Sequence, residues 1–403
     1  MKFSDRILQV KPSPTMAVTA MAAQLQAQGV DIIGFGSGEP DFDTPDHIKQ
    51  AAIKAIEAGK TKYTPVGGIP ELKDAIVHKF KRDNNLQYKR SEVIANCGGK
   101  HSFYSLMQIM LNEGDEVIIP SPYWVSYPDM VKLAGGTPVF LETGSDTGFK
   151  FSPEQLASKI TPKTRAVVIN SPSNPTGAAY TRDELAAFAA VIEKTDVIPI
   201  SDDIYETIIY DGFKFFNIAN ISDAMKERAI VLNGISKTYA MTGWRIGYTA
   251  ASEDIIKKMD IIQGQSTSNP TTISQWAAVE ALTGDQTVLA NMLEAFDRRR
   301  NFVVDDLNTI PGISCYKPEG AFYAFPRVSG IYELKGWAKV SEKYKDTYKS
   351  SSLSAFLMEE ARTAVVPGIG FGSDDYIRIS FATSDAKLKE GLKRIREAVE
   401  KLC

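Results

Sequence analysis

The run Arg165-Ala166-Val167-Val168-Ile169-Asn170 is followed, after a loop and a helical stretch, by Val197-Ile198-Pro199-Ile200-Ser201 and then by Ala229-Ile230-Val231-Leu232-Asn233. Each run is short, apolar and rich in β-branched residues, the pattern of a strand covered on both faces. Between the first two, Arg182–Lys194 has helical periodicity, with Thr181 placed as an N-cap ahead of an acidic first turn. Ser152 occupies the same kind of position further upstream. Working outward, Glu92–Cys97, Glu116–Pro120, Thr137–Leu141 and Gly247–Ala250 complete the set of strand-like runs. Alternation of this kind predicts an α/β fold, with a mostly parallel seven-stranded sheet and helices on both faces. After about residue 290 the pattern changes to a long helix, a short sheet (Gly320–Arg327 and Tyr376–Ala382) and a final charged helix. That tail predicts a smaller α+β domain, which the N-terminal residues are expected to join. The expected division is therefore an N-terminal arm and part of the small domain over 1–45, a large domain over 46–295 and a small domain over 296–403. The polar, lysine-rich segment Tyr332–Ser352 reads as a surface excursion.

Composition narrows the function classes. Of 403 residues, 43% are hydrophobic and 24% charged, as in an ordinary globular enzyme. The 46 basic and 49 acidic side chains give a net charge of −3, which predicts no nucleic-acid or anionic-membrane partner. Arg298-Arg299-Arg300 is the one basic cluster, and it reads as a solvated helix face. No apolar stretch has the length of a membrane helix, and Lys2-Phe3-Ser4-Asp5-Arg6 does not resemble a secretion signal. The cysteines Cys97, Cys315 and Cys403 are odd in number and lack C-x-x-C spacing, so neither a disulfide framework nor a metal site is expected. These features predict a cytoplasmic protein.

In open α/β sheets, ligands gather at the carboxyl ends of the strands. Here those ends carry Gly98-Gly99-Lys100, Pro122-Tyr123-Trp124, Ser173-Asn174-Pro175-Thr176-Gly177, Ser201-Asp202-Asp203-Ile204-Tyr205 and Gly234-Ile235-Ser236-Lys237. Together they offer a glycine loop for a phosphate at a helix start, an aromatic plate, an amide, a carboxylate, a phenol and a lysine. Pyridoxal 5′-phosphate uses all of these groups. A lysine amine condenses with its aldehyde, and a carboxylate keeps its ring nitrogen protonated. Hydrogen-bonding groups meet its phenolic oxygen, and Arg245, eight residues after Lys237, is near enough to add a cation to the phosphate.

The stretch Ser236-Lys237-Thr238-Tyr239-Ala240-Met241-Thr242-Gly243-Trp244-Arg245-Ile246-Gly247 closely resembles the cofactor-attachment motif of class I aminotransferases. The resemblance extends to Gly36-Ser37-Gly38-Glu39-Pro40-Asp41-Phe42, Lys62-Tyr63-Thr64, Asn170 to Gly177 and Arg378-Ile379-Ser380-Phe381-Ala382-Thr383. It implies the fold-type I architecture and is strongest toward the bacterial aspartate and aspartate/prephenate branch. It implies that Lys237 is the Schiff-base lysine and proton shuttle, that Asp202 pairs with the ring nitrogen, and that Tyr205 and Asn174 bind the phenolic oxygen. Trp124 would stack on the ring; Gly99, Lys100, Ser236 and Arg245 would bind phosphate, with Tyr63 reaching over from a second subunit of a homodimer. Arg378 would hold the substrate α-carboxylate, with the Gly38 backbone closing over the substrate. Amino acids and 2-oxo acids would be the substrates.

Two departures stand out. Gln263-Gly264-Gln265-Ser266-Thr267-Ser268-Asn269-Pro270 has no arginine, where enteric and animal aspartate enzymes carry one for the distal carboxylate. In the branch resembled, Lys100 with Ser13 and Thr15 takes that role, and all three are present. Gly234 stands where the family often has a second serine. Taken singly, Asp202 reads as a helix cap, Lys237 as a surface lysine and Trp124 as core, while Arg378 reads as a substrate-binding residue with a structural ion pair as the alternative. Their combination, with the resemblance, favours transamination between L-aspartate or L-glutamate and a 2-oxo acid such as 2-oxoglutarate or oxaloacetate, with prephenate as a further acceptor, over the alternatives of an aminotransferase for aromatic or other neutral amino acids, a related β-lyase, or a cofactor-binding regulatory module.

Overall fold

The computed structural model describes residues 2–403. Its twelve strands are β1 (Ile33–Gly34), β2 (Val93–Asn96), β3 (Glu116–Ser121), β4 (Thr137–Glu142), β5 (Thr164–Asn170), β6 (Ile198–Asp202), β7 (Ile230–Gly234), β8 (Gly247–Ala250), β9 (Tyr323–Ala324), β10 (Thr363–Ala364), β11 (Val366–Pro367) and β12 (Ile377–Ser380). Seven of them form one sheet in the order β2-β8-β7-β6-β5-β3-β4. Only β8 runs against its neighbours. The carboxyl ends of the other six therefore lie along one edge, where the polar loops converge.

Side-chain alternation explains why the strand sequences are apolar throughout. On β5, Ala166 and Val168 enter one apolar cluster while Val167 and Ile169 enter another on the opposite face. On β3, Val117 and Ile119 join the first and Ile118 the second. Helices cover both layers, and two begin as the sequence predicts. Ser152 and Thr181 form reciprocal capping boxes with Gln155 and Glu184.

The antiparallel strands β11-β12-β9 form a second sheet, and β1 pairs in parallel with β10. That pairing brings Phe35, fully buried, into the apolar cluster shared by Phe322, Leu353, Ile379 and Leu392.

Two expectations need correction. The segment Tyr332–Ser352 is not a surface excursion. It contains the helix Trp337–Lys343 and the start of helix Lys349–Glu360, with Tyr332, Trp337, Val340, Ser350 and Ser352 buried. Its lysines occupy only the outward side, which masked an amphipathic pattern. The arginine run is not a solvated face either. Arg300 has no exposure and is held by Asp211 and Asp297, with its guanidinium 4.4 Å from the Tyr210 ring. Arg299 bridges Asp41 and Asp385.

A buried polar cluster backs the site edge. Lys79, from helix Pro70–Asn84, pairs with Glu206, which also accepts from Asn84 and Asn233. Removing one partner of a buried ion pair leaves an unmatched charge, costing about 3–5 kcal/mol. Lys79→Met is expected to lower stability by about that amount in urea unfolding; an unchanged midpoint would show that Glu206 is satisfied without the lysine.

Candidate active site

A cavity of ≈ 530 Å³ opens at the carboxyl edge of the large sheet. Its lining contains Ser13, Thr15, Gly38, Gly99, Lys100, Trp124, Asn174, Asp202, Tyr205, Ser236, Lys237, Arg245 and Arg378. Of the residues singled out in the sequence, only Tyr63 lies elsewhere, on the surface and 90% exposed. Residues more than three hundred positions apart meet here because β1 and β12 carry the N-terminal loop and Arg378 over the strand ends.

Each loop places its group for a local reason. Asp202 ends β6 on the same side as Ile200, two residues earlier, while Asp203 points to the other side. There Asp203 is fully buried and bonded to Ser201 and Asn217. Alternation thus decides which member of the acidic pair faces the cavity. Burial pushes the Asp202 carboxyl up, while hydrogen bonds from the Tyr127 hydroxyl and the Ile204 amide and the charge of Lys237 hold it down.

The Lys237 Nζ donates to the Gly38 carbonyl at 2.6 Å. Burial pushes this amine down to about 8, opposed by Glu39, assisted by Arg245 and Arg378, and opposed again by Asp202. Glu39 is itself held by the Thr242 hydroxyl at 2.8 Å.

Arg378 on β12 is buried, donating to the Asn174 side-chain oxygen at 3.0 Å and to the Gly36 carbonyl at 2.8 Å. Its Nε is buried without a hydrogen-bond partner among the described residues. Burial lowers its pKa, while Tyr323 and Tyr205 raise it. Asn174 is oriented in turn by its own amide, which donates to Asn170 Oδ1 at 2.9 Å.

At the other end of the cavity, helix Gly99–Met110 begins after Gly98 at φ +88°. The His101 and Ser102 amides bond back to Gly98, so the Gly99 and Lys100 amides ahead of them have no carbonyl within the helix to meet. A Cβ on Gly98 would collide with the Arg245 guanidinium, and one on Gly247 would lie 2.5 Å from the Gly99 nitrogen. Glycine at these two positions lets the cation and the amides share one cradle, suited to an anion. Lys100 Nζ lies 5.3 Å from the Trp124 ring centre, and burial and Arg245 lower its pKa. Thr15 Oγ1 is buried without a partner among the described residues.

Two residues escaped the sequence reading. Tyr127 donates to Asp202 from three residues beyond Trp124. The Tyr323 hydroxyl lies 2.8 Å from that of Tyr205. Tyr127 had a readable signal in lying three residues after Trp124 at the start of a helix, whereas Tyr323 had none before the β9–β12 pairing was known. The departure at Gly234 also has a local cause. A Cβ there would lie 3.1 Å from both Ile204 Cδ1 and the Ile246 carbonyl, so a larger residue requires a shift.

Residues 30–395 match the family model "Aminotransferase class I and II". The chain belongs to the class I and II aminotransferases. It is 51% identical to an aspartate aminotransferase of Bacillus subtilis over the whole of both chains. It is also 51% identical to an aspartate/prephenate aminotransferase of Nitrosomonas europaea, over 98% of this chain and 99% of that one. Among solved structures, the aspartate aminotransferase from Rhizobium meliloti superposes with a TM-score of 0.94 at 44% identity, covering both chains fully. Class I aminotransferases work with pyridoxal 5′-phosphate, and that is the cofactor of this enzyme.

The cavity fits that group chemically. It has an anion cradle at one end, a desolvated amine and a buried carboxylate in the middle, and an unsatisfied guanidinium donor at the other end. Only the neutral amine attacks an aldehyde, so capture of the cofactor by apoprotein should accelerate with pH through about 8 and then level off. A midpoint near the ordinary lysine value in stopped-flow absorbance would mean that Lys237 is not desolvated as the structure has it.

Proposed function

We propose that this aminotransferase moves the amino group of L-aspartate or L-glutamate to a 2-oxo acid such as 2-oxoglutarate or oxaloacetate, with prephenate as a further acceptor. The observation that carries the reading is the meeting of Lys237, Asp202, Tyr205 and Arg378 in one cavity. Relatives named for aspartate and for aspartate/prephenate, about half identical over the full chain, supply the substrate class.

When bound, the cofactor supplies an aldehyde for the amine and an electron-withdrawing ring that stabilises negative charge at the substrate Cα. The anion cradle of Gly99, Lys100, Ser236 and Arg245 receives its phosphate, and Tyr63 from a second copy of the chain completes it. Trp124 covers the ring face, while Tyr205 and Asn174 donate toward the phenolic oxygen. Asp202, held by Tyr127, keeps a proton on the ring nitrogen. Arg378 takes the α-carboxylate in a two-point bond, for which its free Nε is available, and the Gly38 backbone closes the substrate side. That would hold the Cα–H bond toward Lys237, whose Nζ, freed when the substrate's amino group takes its place on the aldehyde, would accept the Cα proton. Lys100, Ser13 and Thr15 meet the distal carboxylate, standing in for the arginine absent from 263–270.

The shared site implies a two-fold homodimer. Exposed Phe3, Ile7, Leu8, Met16, Met21 and Tyr63 suit burial against a second copy. The pairing of β1 with β10 supports treating 1–45 and 296–403 as one body beside 46–295. Three free cysteines accord with a reducing cytoplasmic setting.

The deciding experiment adds L-aspartate to cofactor-loaded protein without an acceptor. The yellow colour is expected to fade to a near-ultraviolet band and return with oxaloacetate or prephenate; an unchanged spectrum removes aspartate as donor. Lys237→Ala is expected to abolish turnover, and measurable transamination by that variant would refute the role of the lysine. Lys100→Ala is expected to raise KM for dicarboxylates roughly tenfold, as loss of a charge-assisted bond does, and to change it less for neutral amino acids. Equal changes would assign Lys100 to the phosphate alone.

A further inference from the structure

Tyr323 touches both halves of the proposed chemistry. It lies on β9, fully buried, with Ser380 of β12 as its register partner and Arg378 two residues along that strand. Its hydroxyl has one hydrogen-bond partner among the described residues, the Tyr205 hydroxyl at 2.8 Å. Its ring centre lies 4.4 Å from the Arg378 guanidinium carbon.

We propose that Tyr323 is a positioning residue that directs the Tyr205 proton toward the cofactor and braces Arg378 for the substrate carboxylate. The proposal rests on the roles given above to Tyr205 and Arg378.

The role of the hydroxyl follows from proton count. Two phenols at this distance share a single hydrogen bond, so one O–H donates and the other is left free. If Tyr205 donates to Tyr323, it has no proton for the cofactor's oxygen. If Tyr323 donates, the Tyr205 proton is released to point into the cavity, and the two bonds in series reinforce each other. The Arg378 guanidinium lies over the Tyr323 ring, 4.4 Å from its centre, and a cation on that face makes Tyr323 the better donor of the pair, which favours the second arrangement. The role of the ring follows from geometry. Arg378 is anchored by Asn174 and Gly36 in its own plane, and an aromatic face against a buried guanidinium fixes that plane without consuming Nε.

The test titrates the visible band of cofactor-loaded protein against pH, without substrate. A donor to the cofactor's oxygen favours the more negative state and so lowers the midpoint, and removing the donor raises it. Tyr205→Phe is expected to raise the midpoint by about one unit, and Tyr323→Phe by about half a unit, roughly threefold in the protonation equilibrium. Tyr323→Phe keeps the ring, so the affinity for maleate, an unreactive dicarboxylate, is expected to stay within about twofold. Tyr323→Leu removes ring and hydroxyl, and maleate affinity is expected to fall roughly tenfold. A shift in Tyr205→Phe with none in Tyr323→Phe overturns the hydroxyl's role. No shift in either variant overturns the reading of Tyr205 instead. Unchanged maleate binding in folded Tyr323→Leu overturns the brace.

Discussion

An alkyl amine in water holds its proton far above neutrality, and the fold lowers that affinity at Lys237 against the opposing charges of Glu39 and Asp202. Burial is the main cause of its lowered pKa, with Arg245 and Arg378 adding to it. Burial cannot come from the large sheet alone, because strand ends open to solvent. The lid is made of distant segments: the Gly36–Glu39 loop, the Tyr323 ring on β9 and the Arg378 side chain on β12. The pairing of β1 with β10 is what draws the N-terminal loop to that position. Desolvating one amine thus requires the two ends of the chain to come together over the middle.

The same strand geometry that builds the core assigns the chemistry. Apolar clusters cover both faces of β5, and Pro199, Ile200 and Ser201 of β6 are all buried, so each residue at a strand end is committed by its parity to one side. Asp202 falls on the cavity side and Asp203 on the side of Ser201 and Asn217. The second carboxyl is kept well above its ordinary value by burial and by Glu206, and it takes no part in the cavity. Two adjacent identical residues thereby meet unrelated surroundings.

Much of this was legible in the sequence, and the boundary of legibility is physical. The strands could be read because two-sided burial demands unbroken apolar runs, and the caps at Ser152 and Thr181 because their partners are three residues away. Gly98, Asn174, Asp202 and Lys237 could be placed together because one rule about strand ends applies to all of them. Arg299 and Arg300 were misread because their carboxylate partners include Asp41, Asp211 and Asp385, remote in sequence. Tyr332–Ser352 was misread because its few apolar residues, Trp337 and Val340 among them, are large enough to anchor a segment that looks polar by count. Tyr323 was invisible for the same reason as the arginines: its significance lies in which strand it pairs with.

The charge of the cavity argues for what it receives. Its lining carries four cations, Lys100, Lys237, Arg245 and Arg378, against two carboxylates, Glu39 and Asp202, although the chain as a whole is acidic. Burial is the chief cause that lowers the pKa of three of these cations, Lys100, Lys237 and Arg378. A site in that condition is strained electrostatically until anions enter it. The cradle beside Arg245 suits a phosphate and the free Nε of Arg378 suits a carboxylate, which leaves the Lys100 side chain and the unpartnered Thr15 hydroxyl on the cavity wall still to be met. Arg378 is held by carbonyl oxygens, which carry no formal charge. Its full charge therefore remains available to the ligand, which a structural salt bridge would have neutralised in advance.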